Sequence, residues 1–320
     1  KKTSDNRNMP STFCYTSTVM DPAFLAKFVL NGLIAGSLYA ILALGLALIY
    51  GVLRFVNIAH GEIAITGAYA FYTFYILFGW PLIPSFFAAI AVLFIIVIII
   101  EKCTFLPVRD APPHIPLILS IGISLLLKNL LLLIYQPYAR SLTTNVKSFA
   151  IFSDIIRITD IQIIILISSV VLMLGLWAFL KYTRSGKAIR AVSDNKEVAA
   201  ILGINVNRTI TITFLVSAFL AGTAGILAAF DQNLHPNLGT FFAIKAFAAV
   251  ILGSIGSIPG AVIGGYIIGL AENLLIAIPF GNFYIPSSYK DAIAFFILLL
   301  ILYIKPTDLF GKKAEEVIRN

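Results

Sequence analysis

Charged residues are scarce in this chain. Asp, Glu, Lys and Arg make up 12% of its 320 residues, hydrophobic residues make up 59%, and the mean hydropathy is +0.96. A soluble domain carries about twice that share of charge. The composition therefore excludes a soluble protein and indicates one that lies mostly in a bilayer. The short alternating segments typical of an outer-membrane barrel are also missing, so the spanning elements are predicted to be helices.

Cysteine and histidine are scarce as well. The two cysteines, Cys14 and Cys103, cannot build a disulfide framework, and the predicted topology places them on opposite sides of the membrane. The three histidines are His60, His114 and His235, and they fall in three different regions. Neither a metal site nor a catalytic triad can be assembled from them.

Sequence motifs for the common chemistries are missing too. The chain has no G-x-x-x-x-G-K-[ST] nucleotide loop, no H-E-x-x-H zinc motif and no G-x-S-x-G nucleophile elbow. We therefore expect no catalytic residue, no metal and no cofactor on this chain, and an enzyme is disfavoured. The formal net charge of +8 does not indicate nucleic-acid binding, because the basic residues lie between apolar runs, as the positive-inside rule requires.

Apolar runs near the length that crosses roughly 30 Å of hydrocarbon recur along the chain. They lie at residues 24–50, 58–78, 82–100, 115–135, 161–180, 209–230, 243–254, 260–278 and 291–304. The run at 243–254 is short and leads into GSIGSIPG (253–260), where Gly and Pro break a helix. The sequence predicts an all-α polytopic membrane protein with about eight to nine transmembrane helices, including broken or re-entrant segments.

Lys and Arg determine the predicted orientation. Six of them lie in the loop 181–208, and four more follow the last run. Because cytoplasmic loops are enriched in these residues, this loop and the carboxyl-terminal tail 309–320 are placed inside. The amino-terminal tail 1–23 is polar, lacks the apolar core of a signal peptide and receives no function. Residues 24–308 are predicted to form one transmembrane domain that contains the loop.

The loop contains a predicted short helix. Asp194, followed by Glu197 three residues later, indicates an Asp version of the capping box. Residues 198–202 continue the helix, and Gly203 suits the position just past its end. About two turns are too short to be stable alone. From the residues themselves, the helix lies either on the membrane interface or in a groove of a soluble partner.

Five polar residues in or directly beside the apolar runs need a reason, because charge near the bilayer centre costs several kcal/mol. Asn57, His60 and Glu62 lie where the second run begins. Either they cap this helix near the cytoplasmic interface, with Glu62 at the positive end of its dipole, or they take part in gating. Lys245 and Glu272 lie in later runs. They form a buried ion pair, or Lys245 extends to the outer interface.

Lys128 and two stripes of small residues are the remaining features of the apolar runs that need an explanation. Lys128 lies in the middle of the fourth run, where it either faces a wet cavity or pairs with an acid on another subunit. The small-residue stripes predict faces on which helices approach closely. They are Gly32, Gly36 and Ala40 in the first run, and Gly260, Ala261 and Gly264 in the eighth.

Three blocks of the sequence resemble the permeases of the branched-chain amino-acid ABC importer family. They are NGLIAGSLYAILALGLALIYGVLRFVNIAHGEIAITGAY, RAVSDNKEVAAILGINVNRTITITFLVSAFLAGTAGILA, and IKAFAAVILGSIGSIPGAVIGGYIIGLAE with SSYKD before the last run. The blocks occur in the family's order, and the resemblance covers about Phe24 to Asp308. The chain is most similar to the shorter of the two permease types in that family.

The resemblance implies a machine of several subunits in the bacterial inner membrane or the archaeal cell membrane. Such permeases pair with a second related permease, two cytoplasmic ABC ATPase subunits and an external substrate-binding protein. ATP and magnesium then belong to the ATPases. The short loop helix becomes the helix that couples to the ATPase, with Asp194, Glu197, Ala199, Ala200 and Gly203 as its contact residues. Asn57, His60, Glu62, Lys245 and Glu272 match polar positions of the family.

The leading interpretation is a permease subunit for branched-chain, hydrophobic amino acids that is driven by partner ATPases. A urea or short-amide permease of the same kind of machine is the first alternative, and nothing in these residues separates the two. A stand-alone secondary transporter with broken helices at mid-membrane is the second alternative. It predicts transport without ATPases.

Overall fold

The structure is a computed structural model that describes residues 22–109, 111–142, 148–152, 156–254, 256–277, 286 and 289–304. Apart from two helical residues, Pro22 and Ala23, the predicted tails 1–23 and 309–320 lie outside these ranges.

Helices dominate the described residues. They are α1 Pro22–Leu53, α2 His60–Tyr72, α3 Leu82–Ile100, α4 Leu106–Val108, α5 His114–Tyr135, α6 Asp160–Tyr182, α7 Arg184–Asp194, α8 Lys196–Ile201, α9 Val206–Asp231, α10 Leu238–Leu252, α11 Ile258–Ala277 and α12 Lys290–Ile304. The π-helical turns Thr73–Leu77 and Glu101–Phe105 extend α2 and join α3 to α4. Two short strands, β1 Ser148–Phe152 and β2 Ile156–Thr159, pair antiparallel with Ser148 opposite Thr159.

Each of the nine predicted runs overlaps one of these helices, although α10 begins five residues before its predicted run (243 − 238). Within the described ranges, six helical segments are long and apolar enough to cross a membrane, namely Leu25–Leu53, Leu82–Val108, His114–Tyr135, Asp160–Tyr182, Val206–Asp231 and Ile258–Ala277. Leu238–Leu252 is a shorter apolar helix. The polytopic helical fold is confirmed. The hairpin of β1 and β2 was not predicted, although its Ile- and Phe-containing strands are typical of short β pairs.

The long helix α1 lies at the centre of the bundle. Of its apolar stretch 89% is buried, compared with 22% for α5 and for α6. A Cβ added to Gly36 would lie 2.9 Å from the Cα of Tyr266, and Gly269 lies against Gly36. The stripe of small residues on α1 therefore lets its backbone meet that of α11. In the second predicted stripe, Gly260, Ala261 and Gly264, the two glycines lie against α10 and its end instead, at Ala249 and Gly253.

At the turn between α10 and α11, Gly253 and Ser254 follow the first helix, Gly256 and Ser257 precede the second, and Ile258 to Gly260 already belong to it. Gly256 and Pro259 border the same cavity as Arg190 and Asp194 of α7, so this turn lies at the predicted cytoplasmic end of the bundle. The break in helical structure inside the bundle lies instead at the start of α10, where α10 meets the start of α2.

Candidate functional site

The helix α2 begins inside the bundle. His60 Nε2 donates a hydrogen bond of 3.0 Å to the carbonyl oxygen of Leu42. Leu42 precedes Leu53, the last residue of α1, by 11 residues (53 − 42). At about 1.5 Å per residue, His60 meets α1 about 16 Å from its end. The predicted position of this helix start near the cytoplasmic interface is therefore wrong, because the segment before it runs back into the bundle.

His60 is held by α1 and α9. Ser217 Oγ lies 3.4 Å from His60 Nδ1 and donates a 2.9 Å hydrogen bond to the carbonyl oxygen of Gly45. A Cβ added to Gly45 would lie 2.7 Å from the imidazole, so a residue without a side chain leaves room for the ring. Asn57 Oδ1 accepts from the Ala59 N–H at 3.1 Å, a local turn that leads into α2. Asn57 and His60 thus stabilise the break.

The start of α10 meets the start of α2 at Glu62. Thr240 Oγ1 donates to Glu62 Oε1 at 3.0 Å, and the Cα of Gly239 lies against the same carboxylate. Both partners belong to the first turn of α10, whose unpaired N–H groups carry partial positive charge. Glu62 lies in the first turn of α2, as predicted, but its side chain makes no capping hydrogen bond there and bonds to α10 instead. The acid instead joins two helix starts.

One carboxylate oxygen of Glu62 is incompletely stabilised. Glu62 is fully buried, yet no hydrogen-bond partner for Oε2 occurs among the described residues. A half-satisfied buried charge is costly. Lys128 of α5 interacts electrostatically with this carboxylate. Within this chain, Lys128 therefore has an acid close to it, the carboxylate of Glu62.

Lys245 of α10 is the centre of a buried ion cluster. Its Nζ lies 2.9 Å from Glu272 Oε1 and 2.8 Å from Asp291 Oδ1, and it donates to the Tyr39 hydroxyl at 2.9 Å. The Tyr39 hydroxyl in turn donates to Glu272 Oε2 at 3.1 Å. The side chains of Lys245 and Glu272 are 8% and 2% exposed, and that of Asp291 is 43% exposed. The ion pair is confirmed, and the alternative in which Lys245 extends to the interface is wrong.

Sequence reasoning missed two members of this cluster. Asp291 belongs to the SSYKD block that was noted before the last run, and a charge there was a usable signal. Tyr39 carries no such signal, since tyrosines are common in these helices. Only the packing of α1 against α10 and α11 brings its hydroxyl to the ions.

A polar cavity of about 320 Å³ adjoins the cluster. Its remaining polar lining comes from Asn31, Gln162, Asp231, Gln232, Asn273 and Lys290, and its apolar lining from Ile34, Ala35 and Leu38. Most of these residues lie at helix ends that are predicted to face outward, so the cluster closes the inner end of an outward cavity. In the part of the chain that the structure describes, no group of three or more His, Cys, Asp or Glu side chains is placed to hold a metal.

The loop 181–208 folds into two helices, α7 and α8. Asp194 is the last residue of α7, and Asn195 caps α8 by accepting hydrogen bonds of 3.0 Å from the N–H groups of Glu197 and Val198. The predicted capping box with Asp194 is therefore wrong. Asn195 has the extended backbone of a cap residue, whereas Asp194 is helical.

The end of α8 agrees with the predicted place of Gly203 just past the helix. Gly203 has φ +84°, its N–H donates to Ala200, and the Ile204 N–H donates to Ala199. Both hydrogen bonds are 3.0 Å long and together form a Schellman motif. Gly203 therefore ends the helix at a position where a side chain would be strained.

The outer face of α8 is apolar. Val198, Ile201 and Leu202 are all exposed, and Ile201 is 84% exposed. Of the five predicted coupling residues, Asp194, Glu197, Ala200 and Gly203 are exposed and Ala199 is buried. Ala199 therefore anchors α8 on the bundle and does not offer its side chain to a partner.

The helix α7 connects this surface to the core. It buries Ile189 and Val192 and exposes a row of basic residues, Arg184, Lys187 and Arg190. At its end, Ser193 Oγ donates to the carbonyl oxygen of Gly51 at 2.8 Å, and Arg54 Nη2 donates to the carbonyl oxygen of Ser193 at 2.7 Å. These two hydrogen bonds join the end of α7 to the end of α1.

Comparison with known proteins gives one consistent result. Residues 28–302 match the family model described as branched-chain amino acid transport system / permease component. The chain is 34% identical over 301 residues to the high-affinity branched-chain amino acid transport system permease protein BraD of Pseudomonas aeruginosa. It is 35% identical over 312 residues to the corresponding permease protein LivH of Escherichia coli K12. Each alignment covers 90% of this chain and 96% of the relative.

A solved structure shares the fold. It is a chain of PsaBC from Streptococcus pneumoniae in complex with Fab, with a TM-score of 0.52 and 14% sequence identity. The match covers 91% of this chain and 98% of that chain. At this identity the likeness concerns the arrangement of helices alone.

Proposed function

The chain belongs to the family of branched-chain amino acid transport system permease components, and we propose that it is the membrane-spanning permease subunit of an ABC importer for branched-chain amino acids. Its multi-pass helical fold and its family place it in the plasma membrane. Branched-chain cargo is favoured over urea or short amides, because relatives that cover nine tenths of the chain are named for it.

The importer needs an ABC ATPase inside and a substrate-binding protein outside. We propose that two ATPase subunits bind α7 and α8, and that a second, related permease lies beside this chain. ATP and magnesium belong to the ATPases. The observation that carries this proposal is the exposed apolar face of α8, formed by Val198, Ile201 and Leu202. Apolar side chains clustered at a surface mark an interaction site.

The mechanism is alternating access. Closure of the ATPases moves α8, which is anchored by Ala199, and moves α7, whose end is bonded to Gly51 and Arg54 of α1. The helices α6 and α9 continue from the two ends of this loop and tilt with it. Because α1 packs closely on α11, the tilt reaches the helix starts at Glu62 and the ion cluster at Lys245.

Substitution of Ile201 tests the docking surface. Ile201→Asp removes an apolar contact from a side chain that is 84% exposed, so folding is expected to be unaffected while ATPase co-purification and leucine uptake are lost. Tyr303→Asp is the matched control. Tyr303 is equally exposed but lies on α12, which packs against α10 and α11. Normal ATPase association of Ile201→Asp would refute the docking assignment.

Reconstitution tests the transport assignment. Proteoliposomes that contain the purified complex and binding protein are expected to take up leucine with ATP, and to lose uptake when the ATPases are left out. Uptake by the permease without ATPases would support a secondary transporter instead. Uptake of urea but not leucine would support the alternative cargo.

A further inference from the structure

Three spans, α3, α5 and α6, lie at the periphery of the subunit and are mostly exposed. A helix that faces lipid can expose only apolar groups at low cost, because the hydrocarbon offers no water. The helix α6 satisfies this condition. From Ile164 to Trp177 its exposed large side chains are all apolar, and the exposed Lys181 and Tyr182 lie at its predicted cytoplasmic end.

The helix α5 exposes polar groups as well as apolar ones. Its outward face carries an exposed amide at Asn129, and Lys128 beside it is only partly buried. The Asn129 amide donates to the carbonyl oxygen of Leu125 at 2.7 Å, which uses one of its two N–H groups. Lys128 precedes the last residue of α5, Tyr135, by 7 residues (135 − 128), which is about 10 Å. These polar groups therefore lie at a depth where contact with lipid would be costly.

The exposed start of α10 continues the same face. Thr240 is exposed, and its hydroxyl bonds to the buried Glu62 carboxylate beneath it. Lys128 interacts electrostatically with that carboxylate from the side of α5. Lys128 and Thr240, which belong to different helices, thus flank one acid. We name Lys128, Asn129 and Thr240, with Glu62 beneath them, the polar face.

We propose that the exposed residues of the polar face line the aqueous path of the transported amino acid, with Lys128 receiving its carboxylate and Glu62, which is buried in the described conformation, receiving its ammonium group when the path opens. This inference rests on the proposed function. A free amino acid carries one charge of each sign, and the polar face offers one of each. In the described structure Glu62 Oε2 has no hydrogen-bond partner, so an ammonium group would supply the donor that this oxygen lacks.

Thiol labelling tests the path. In a background of Cys14→Ser and Cys103→Ser, single cysteines are placed as Asn129→Cys and Thr240→Cys, with Val171→Cys on α6 as the lipid-facing control. Opened membranes that contain the complete importer are treated with a charged, membrane-impermeant methanethiosulfonate. Because the reagent reacts with the thiolate, which needs water, the two test positions are expected to label about ten-fold faster than the control. Labelling of both at the control rate would overturn the proposal.

Transport measurements test the recognition of charge. Lys128→Gln is expected to lower the rate of ATP-driven leucine uptake severalfold while subunit assembly stays intact, and Lys128→Arg is expected to restore it. Wild-type uptake by Lys128→Gln would overturn the role of Lys128. Labelling needs no transport, so a permease with a different cargo would still label at the polar face. Failure of the path and failure of the proposed function are therefore distinguishable.

Discussion

Removal of the Lys245 ammonium group tests the buried cluster most directly. Lys245→Met keeps the length and apolar stem of the side chain but removes three contacts, those to Glu272, Asp291 and the Tyr39 hydroxyl. The carboxylate of Glu272 is 2% exposed and would keep the Tyr39 hydroxyl as its donor. Asp291 is 43% exposed and can be solvated instead.

The expected magnitude follows from this difference in burial. Breaking a buried ion pair on one side costs about 3–5 kcal/mol, because the remaining charge has neither water nor an opposite charge beside it. Most of that cost falls on Glu272. Replacing both partners by apolar residues of similar volume is expected to be nearly neutral. The double variant Lys245→Met with Glu272→Leu should therefore recover most of the stability that the single variant loses.

Thermal unfolding of the detergent-solubilised protein measures these differences. Lys290→Met is the matched control, since Lys290 is partly exposed and donates to the neutral amide of Asn273 at 3.1 Å. Its loss is expected to cost about 1 kcal/mol. If Lys245→Met unfolds at the same temperature as Lys290→Met, or if the double variant is less stable than Lys245→Met, the cluster does not behave as a buried ion pair.

Three further predictions concern single residues. Gly203→Ala puts a side chain at φ +84°, which costs about 1 kcal/mol, and it should therefore lower ATPase co-purification. The control Gly175→Ala lies in a helix with open space around it and should leave co-purification unchanged. Gly36→Ala overpacks the contact of α1 with α11 and should lower thermal stability by about 1–3 kcal/mol relative to Gly175→Ala; an unchanged melting temperature would contradict the close packing. Glu62→Ala should reduce leucine uptake more than it reduces assembly, and equal losses of both would indicate a purely structural role.

The predicted spans agree with the helices because membrane insertion is a local requirement. Every segment of about 20 apolar residues must satisfy its own backbone hydrogen bonds, so helices form regardless of what they later contact. Gly203 is a similar case. Its position after a short helix and its freedom at positive φ are properties of a few neighbouring residues.

The capping residue of α8 shows where local reasoning becomes uncertain. Asp194 and Asn195 are adjacent, and both side chains are good caps. In the structure Asp194 is the last residue of α7, next to the Ser193 that bonds to α1, and the cap of α8 is Asn195. Local preference alone did not distinguish these two adjacent caps.

The sequence by itself determined where helices form, where the short helix α8 ends and which residues are too polar for lipid, since these follow from length, composition and backbone preference. The tertiary structure decided which polar groups meet. Thr240 and Glu62 are separated by 178 residues and Tyr39 and Glu272 by 233, and no periodicity relates positions so distant. Their contacts depend on how closely the backbones of packed helices approach, which is set by small residues on two helices at once.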